Sequence, residues 1–297
     1  MPGTLKEALT VWTSASEGSR LIAGGTDLLP WAREGRAGDV KIPMLVDISR
    51  IDELSGWSQD GDRLRLGANL AFQCFLLDSD LRRQLPCMPY CAVWFADNQI
   101  REQATLVGNL VNASPAADGT PAMLALNGEI EIARLDADNV VRRSQSVADF
   151  VQGPGKVGLN SNEIVTGLIC DAAPGYGGAF EKVGQRRSLT LSTVCTACLV
   201  KPSGDRSTFS DVRLAMGGIG PLPVRLENLE AFIVGKPISA EIINAASKET
   251  DNLVQSRSRQ EYRKYVVEGF VGRAIRSALA DCGIEVAADN AREIAHA

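Results

Sequence analysis

The sequence predicts an α+β protein built in two halves that meet near residue 175. Two observations predict this class. The first is the order of apolar patterns along the chain. Apolar residues at helical spacing and short apolar runs take turns near the start, short strands with alternating apolar and polar residues follow, and helical patterns fill the last quarter. Between the halves lies the segment 171–178 (DAAPGYGG), in which proline and glycine oppose continuation of a helix or a strand. This segment is the predicted linker.

The N-terminal elements are predicted in the order helix, strand, helix, strand. Apolar residues between 5 and 12 recur at helical spacing. Residues 20–23 predict a short strand that runs into 24–27 (GGTD), where the second helix begins. Residues 43–46 predict the second strand. The later predicted strands are 63–66, 129–132, 163–170, 191–200 and 212–216, and the later helical patterns cover about 224–256 and 259–281.

Composition excludes several classes of function. The chain has 31 Lys+Arg against 36 Asp+Glu, and its net charge of −5 argues against general nucleic-acid binding. The single histidine, His296, lies in a tail expected to fray, which argues against a Ser-His-Asp triad and histidine zinc sites. No apolar run is long enough to span a membrane, and the start lacks the pattern of a secretory signal.

Seven scattered cysteines do not form a disulfide framework, so we expect reduced thiols and a cytoplasmic location. Cys195 and Cys198 lie three apart in a predicted core strand and would face opposite sides of it. Cys87 and Cys91 could share a helix face, but two ligands do not make a cluster site. Buried structural thiols are therefore predicted, and no metal ligands in this chain.

Two motifs are candidates for ligand binding. In 21–28 (LIAGGTDL), a glycine pair between a strand and a helix start would let backbone N–H groups face a diphosphate. A purely structural turn is the alternative, since the spacing matches neither a Rossmann site nor a P-loop. The segment 104–118 (ATLVGNLVNASPAAD) is rich in small residues, hydroxyls and amides, which suits a ligand-lining loop or a capped connection.

Together these motifs resemble the FAD-binding subunit of the molybdenum hydroxylases, a family that includes xanthine, carbon monoxide and nicotinate dehydrogenases. Three further segments fit in order: 153–156 (GPGK), 179–187 (AFEKVGQRR) and 214–225 (LAMGGIGPLPVR). The resemblance therefore runs along nearly the whole chain.

The resemblance implies a two-lobed FAD-binding fold of the vanillyl-alcohol-oxidase (PCMH) type over residues 1–175. A small α/β lobe would cover about 1–55 and a larger antiparallel lobe about 56–175. Residues 176–290 would form a small α+β domain with a three-stranded antiparallel sheet and helices.

It also implies the cofactor contacts. Asp118 and Val165 fall on the adenine side of FAD. Phe95, Ala96 and Lys182 fall beside the flavin, where a lysine could stabilise negative charge on the reduced ring. The full implied set is Leu21, Ile22, Ala23, Gly24, Gly25, Thr26, Asp27, Leu28, Phe95, Ala96, Ala104, Thr105, Gly108, Asn109, Ser114, Asp118, Val165 and Lys182.

One position departs from the family. Thr105, Gly108 and Asn109 would hold the FAD diphosphate opposite the first motif, but Val107 replaces the first of two consecutive glycines. A β-branched residue resists positive φ and brings a bulky Cβ towards the phosphates. Either the backbone has ordinary angles here, or FAD is held more loosely.

The implied activity is electron transfer within a heteromeric molybdenum hydroxylase that acts on a purine or other N-heterocycle, an aldehyde or carbon monoxide. A partner with two [2Fe–2S] clusters would deliver electrons to FAD, a partner with molybdopterin would hydroxylate the substrate, and NAD⁺ or another acceptor would take the electrons. A dimer of heterotrimers is implied. Two alternatives stay open: a free-standing FAD oxidase of the vanillyl-alcohol-oxidase type, and a flavin-free structural subunit.

Overall fold

The computed structural model describes residues 1–34, 41–186, 189–250, 252–255 and 258–287. His296 and Arg187, singled out above, lie outside these residues. The chain forms two compact units, each assembled from three segments. The first unit comprises residues 1–78, 95–114 and 127–172, and the second comprises 79–94, 115–126 and the chain from 173 onward. The domain boundary near residue 175 stays a prediction.

The α+β class is confirmed. The helices are α1 (Leu5–Thr13), α2 (Leu28–Glu34), α3 (Cys74–Leu77), α4 (Ser79–Gln84), α5 (Cys87–Trp94), α6 (Asn98–Arg101), α7 (Leu106–Val111), α8 (Gly119–Ala125), α9 (Val147–Phe150), α10 (Glu227–Ile233), α11 (Ala240–Lys248) and α12 (Gln260–Asp281). The strands are β1 (Arg20–Ile22), β2 (Leu45–Asp47), β3 (Trp57–Asp60), β4 (Arg63–Gly67), β5 (Glu129–Asp136), β6 (Asn139–Ser146), β7 (Val151–Gly153), β8 (Lys156–Val157), β9 (Ile164–Asp171), β10 (Gly177–Val183), β11 (Val194–Pro202), β12 (Phe209–Gly217) and β13 (Val224–Arg225).

The first unit contains a parallel β1–β2 pair and a five-stranded antiparallel sheet in the order β3-β4-β9-β5-β6. Alternation in β4 separates the two faces of the larger sheet, because Leu64 and Leu66 are fully buried while the flanking arginines are half-buried. On the arginine face, Arg65 and Arg142 both pair with Glu131, at 2.8 and 3.1 Å. Ion pairs across neighbouring strands thus cover the polar face of the sheet.

A bidentate pair between Arg143 and Glu163 gives a pH-dependent prediction. Both carboxylate oxygens of Glu163 accept from this guanidinium, at 2.8 and 2.7 Å, and the pair lowers the pKa of Glu163 to about 2. An ordinary glutamate pKa is about 4.3, so the pair stabilises the folded state fully above that pH and progressively less towards pH 2.

We expect Glu163→Gln to lower the free energy of unfolding by about 2 kcal/mol at pH 7. The deficit should shrink as the pH falls from about 4.5 to about 2, as measured by urea unfolding. Asp136→Asn, in a more exposed pair with Arg134 at 3.8 Å, is the control and should change stability by less than about 0.5 kcal/mol. A deficit independent of pH would contradict this assignment.

The second unit is a sheet in the order β10-β11-β12-β13 with helices on both faces. Two consecutive glycines in β10 lie on opposite faces of the sheet, and each is closely covered by backbone. A Cβ on Gly177 would lie 1.9 Å from the carbonyl oxygen of Ala278 in α12, and one on Gly178 would lie 2.2 Å from the carbonyl carbon of Pro86, beside α5. Both glycines therefore belong to a tightly covered strand, and the predicted linker ends earlier, before Gly177.

Other sequence expectations differ from the structure in detail. The helical pattern over about 224–256 contains two helices, α10 and α11. The predicted three-stranded C-terminal sheet has three long strands and a fourth, β13, of two residues. The segment 104–118 contains α7 and is not a continuous loop. Helices between residues 74 and 101 were not predicted, because their short apolar stretches lack a clear period.

The cysteines of α5 and β11 are all buried. Cys87 and Cys91 lie on α5, while Cys195 and Cys198 lie on opposite faces of β11. Burial raises the pKa of each of these thiols, to about 12 for Cys87. Across the described residues, no group of three or more His, Cys, Asp or Glu side chains is arranged to hold a metal ion.

No described helix is both long enough and apolar enough to cross a bilayer.

Candidate functional site

The two sequence motifs meet in the first unit, around a cavity of about 300 Å³. This volume is typical of the smaller ligand pockets in proteins. Three stretches line the cavity: all of β1 through the first residue of α2 together with Trp31, the residue after α5, and the start and one face of α7. The lining residues are Arg20, Leu21, Ile22, Ala23, Gly24, Gly25, Thr26, Asp27, Leu28, Trp31, Phe95, Ala104, Thr105, Gly108, Asn109, Val111 and Asn112.

Gly24 and Gly25 of the first motif are required for two different reasons. A Cβ on Gly24 would lie 1.9 Å from the carbonyl oxygen of Gln103, just before the second motif, and 3.2 Å from the Cα of Ala104, so the backbones of the two motifs lie close together here. Gly25 has φ +67°, a left-handed conformation that a side chain disfavours. The glycine pair thus brings the motifs into contact and turns the chain from β1 into α2.

The second motif is organised by a helix cap. Thr105 is the N-cap of α7, and its Oγ1 accepts a hydrogen bond from the N–H of Gly108 at 3.0 Å. A Cβ on Gly108 would lie 2.8 Å from this oxygen, so a glycine fits best here. Because α7 is helical, Gly108 and Asn109 share the cavity wall with the next turn, Val111 and Asn112.

Val107 lies away from the cavity. It is 5 % exposed, lies within α7, and does not belong to the lining. Its φ is not positive, so the backbone has ordinary helical angles here. Of the two possibilities raised by this departure from the family, the structure therefore shows the first, ordinary backbone angles.

We expect Val107→Gly to leave cofactor affinity within about threefold of wild type, since the side chain does not reach the cavity. The same change should lower the free energy of unfolding by about 2 to 3 kcal/mol, through lost burial and lower helix propensity. Isothermal titration with FAD and urea unfolding measure the two quantities. Markedly tighter FAD binding by the glycine variant would show that Val107 does obstruct the site.

Phe95 is held in place from two sides. Its ring stacks on Phe72, with centroids 3.9 Å apart and planes at 6°. Its carbonyl oxygen accepts from Nη1 of Arg101 at 2.7 Å, and Nε of the same arginine donates to Gln73 at 3.1 Å. Arg101 is almost fully buried, so this network fixes one aromatic wall of the cavity.

Two charged residues, Arg20 and Asp27, belong to the lining, and their formal charges cancel. Oδ2 of Asp27 accepts from the Nδ2 amide of Asn112 at 3.1 Å, which joins the first motif to the end of α7. Partial loss of hydration at the cavity wall raises the pKa of Asp27 above its ordinary value.

Five of the predicted contacts lie outside this lining: Ala96, Ser114, Asp118, Val165 and Lys182. Val165 is buried in β9, opposite Ile132 of β5. Ala96 follows Phe95 with a left-handed φ of +46°. The assignment of these five residues to the cofactor stays a prediction.

Asp118 and Lys182 instead form a buried ion pair in the second unit. Nζ of Lys182 lies 2.5 Å from Oδ2 of Asp118, and both side chains are less than 5 % exposed. The hydroxyl of Ser192 donates to Oδ1 at 2.5 Å, and Nζ also donates to the carbonyl oxygen of Trp94 at 3.2 Å. Desolvation raises the pKa of Asp118, and the lysine opposes that rise.

Sequence reasoning missed four lining residues, Arg20, Trp31, Val111 and Asn112. Helical periodicity could have found three of them. Trp31 follows Asp27 by four residues at the start of a predicted helix. Val111 and Asn112 follow Gly108 by three and four, but the segment was interpreted as a loop.

Comparison with known proteins decides the family. Residues 1–170 match the model of the FAD binding domain in molybdopterin dehydrogenase, which is more than half of the chain. The chain belongs to this family. Residues 179–278 match the CO dehydrogenase flavoprotein C-terminal domain. The predicted family is thereby confirmed, and with it FAD as the cofactor of this oxidoreductase subunit.

Relatives resemble this FAD subunit over nearly its full length. The xanthine dehydrogenase FAD-binding subunit of Escherichia coli O157:H7 is 29% identical over 94% of this chain and 95% of its own length. The carbon monoxide dehydrogenase medium chain of Hydrogenophaga pseudoflava is 26% identical over 95% and 96%.

A solved structure of the Hydrogenophaga pseudoflava carbon monoxide dehydrogenase, lacking the Mo-pyranopterin moiety of its cofactor, superimposes with a TM-score of 0.84. It is 26% identical and covers 95% of this chain and 96% of that chain. The FAD subunit therefore has the fold of that protein as well as its family signature.

Proposed function

We propose that FAD binds in the cavity formed by the two motifs, and that this chain is the electron-transfer subunit of a heteromeric molybdenum hydroxylase. The observation that carries the proposal is the convergence of both motifs on one cavity, within the residues that match the FAD-binding domain. Thirteen of the predicted contacts line this cavity: Leu21, Ile22, Ala23, Gly24, Gly25, Thr26, Asp27, Leu28, Phe95, Ala104, Thr105, Gly108 and Asn109.

The chemistry of the lining fits FAD. Backbone groups of Gly24 and Gly25, with the hydroxyl of Thr26, offer donors for a diphosphate without a Cβ in the way. Asn109 lines the same space. The aliphatic and aromatic part of the lining, including Phe95, suits a planar ring.

When bound, FAD supplies a redox centre that can accept electrons singly and release them in pairs. The chain's own residues would bind and orient it: the motif backbones would hold the diphosphate, and the ring of Phe95, fixed by Phe72, would cover one side of the site. The contacts of Ala96, Ser114, Asp118, Val165 and Lys182 with the cofactor are proposed from the resemblance alone.

We further propose the partners that the family resemblance implies. A small subunit with two [2Fe–2S] clusters would deliver electrons, and a large subunit with molybdopterin would hydroxylate the substrate. Support comes from relatives named as medium chains or FAD subunits of larger enzymes. A dimer of heterotrimers in the cytoplasm, with NAD⁺ or another carrier as final acceptor, completes the proposal.

The proposed substrate is a purine or other N-heterocycle. It is supported by relatives named for xanthine and for nicotinate, whereas relatives named for carbon monoxide and glyceraldehyde leave those two substrate classes as alternatives.

The proposed fold of residues 1–175 is the two-lobed vanillyl-alcohol-oxidase type, followed by the α+β domain of 176–290.

The test is purification of the tagged full chain from its own cells, followed by acid release of flavin and analysis for molybdenum and iron. We expect about one FAD per chain, together with two co-purifying subunits that carry molybdenum and iron. FAD without either metal would favour a free-standing oxidase over the proposed subunit. A colourless chain that takes up no added FAD would overturn the proposal.

A further inference from the structure

Helix α2 has an apolar composition but no place in a core. None of its seven residues (LLPWARE) is buried, although a helix of a globular protein normally buries an apolar stripe. Leu28 and Trp31, three residues apart on one face, both line the cavity. Within the part of the chain that the structure describes, α2 therefore turns its apolar face towards the cavity.

The position of Trp31 relative to the polar lining is well defined. The backbone N–H of Trp31 donates to the carbonyl oxygen of Asp27 at 3.0 Å, so the two residues lie one helical turn apart. The carboxylate of Asp27 is in turn hydrogen-bonded to Asn112 of the second motif. The indole thus belongs to the same wall as the motif residues, one turn beyond the glycine loop.

The cavity contains one other aromatic residue, Phe95, and one face of its ring is already covered by Phe72. FAD carries two planar ring systems that gain most by packing on aromatic and aliphatic surfaces. A short helix of this length is marginal without tertiary packing, so a ring that covers its apolar face would also stabilise it.

We propose that Trp31, with Leu28 beside it, forms the surface on which one planar ring of FAD packs, either the isoalloxazine or the adenine. The inference rests on the proposed location of FAD in this cavity. It assigns cofactor contact to Trp31, which lies outside both sequence motifs. It also means that the bound cofactor would cover the apolar face of α2.

The test uses the full chain freed of flavin and retitrated with FAD, with binding followed by calorimetry. We expect Trp31→Ala to raise the Kd for FAD about tenfold or more, because stacking on the indole is lost. Trp31→Phe should stay within about threefold, since it keeps an aromatic face. Leu29→Ala, an exposed position on the same helix outside the lining, is the matched control and should leave the Kd unchanged.

Two shorter ligands identify the ring. If Trp31→Ala weakens FMN but not ADP, the isoalloxazine lies on the indole, and the reverse pattern places the adenine there. A second readout is trypsin cleavage after Arg33 at the end of α2. FAD should protect this bond in the wild type and protect it less in Trp31→Ala, while thermal unfolding of the flavin-free forms stays equal.

Wild-type affinity of Trp31→Ala for FAD, FMN and ADP would overturn the inference. Equal losses in Trp31→Phe and Trp31→Ala would also overturn it, because they would exclude packing on the ring face. The failure of the proposed location has a different signature: a Gly24→Ala variant that binds FAD normally. Loss of FAD in Gly24→Ala with normal binding by Trp31→Ala refutes only the ring contact.

Discussion

Gly24→Ala should weaken FAD binding about a hundredfold, and it is expected to have the largest effect of any single methyl group added to the first motif. The new Cβ would lie 1.9 Å from the carbonyl oxygen and 2.7 Å from the carbonyl carbon of Gln103. Both atoms belong to backbone that cannot rotate away, so the two motifs must separate. An overpacking cost of about 3 kcal/mol corresponds to a rise in Kd of about a hundredfold.

Titration of the flavin-free chain with FAD measures this effect, and urea unfolding measures any loss of stability. Gly153→Ala is the matched control in the same unit, because its Cβ would meet side-chain atoms of Lys156 only at 3.9 Å. The control should bind FAD like the wild type. Normal FAD affinity in Gly24→Ala would contradict the proposed location of FAD in this cavity.

Lys182→Met should lower the free energy of unfolding of the flavin-free chain by about 3 to 5 kcal/mol. The substitution leaves the carboxylate of Asp118 buried without its ammonium partner, and the hydroxyl of Ser192 still donates to it. A buried, unpaired carboxylate is costly to keep ionised, so its folded-state pKa rises further above the ordinary value. The deficit should therefore be largest near pH 8 and shrink as the pH falls and Asp118 binds a proton.

The double variant Lys182→Met with Asp118→Asn separates charge from packing. We expect it to recover most of the lost stability, because no uncompensated charge remains. Arg83→Met, in the exposed pair with Asp80, is the control and should cost less than about 0.5 kcal/mol. A double variant as unstable as Lys182→Met alone would show that the lysine stem, rather than the ion pair, stabilises this region.

Elements with a clear period were predicted from the sequence within a few residues. The helix at residues 5–13 and the long final helix were found in this way, while short apolar runs predicted strands at 20–23 and 43–46, close to β1 and β2. The short helices α3 to α6 were not, because each is about one or two turns long and carries no repeating apolar stripe. Gly177 and Gly178 were assigned to a linker, since composition cannot show that two glycines are needed under closely packed backbone.

For the site, the sequence identified both motifs and thirteen lining residues, but it missed four others that line the cavity. Trp31 and Asn112 were missed because their roles depend on helices that bring them round to the cavity. Val107 was suspected of obstructing the site, whereas α7 turns it into the core.

The sequence by itself indicated the family, the cofactor and the motif glycines Gly24, Gly25 and Gly108, because the resemblance depends on residue types at fixed spacing along the chain. Only the tertiary structure decided which side of α7 meets the cavity, why Gly24 tolerates no side chain, and that Asp118 and Lys182 are each other's partners. These features depend on contacts between residues that are distant in the chain, and local spacing carries no record of such contacts.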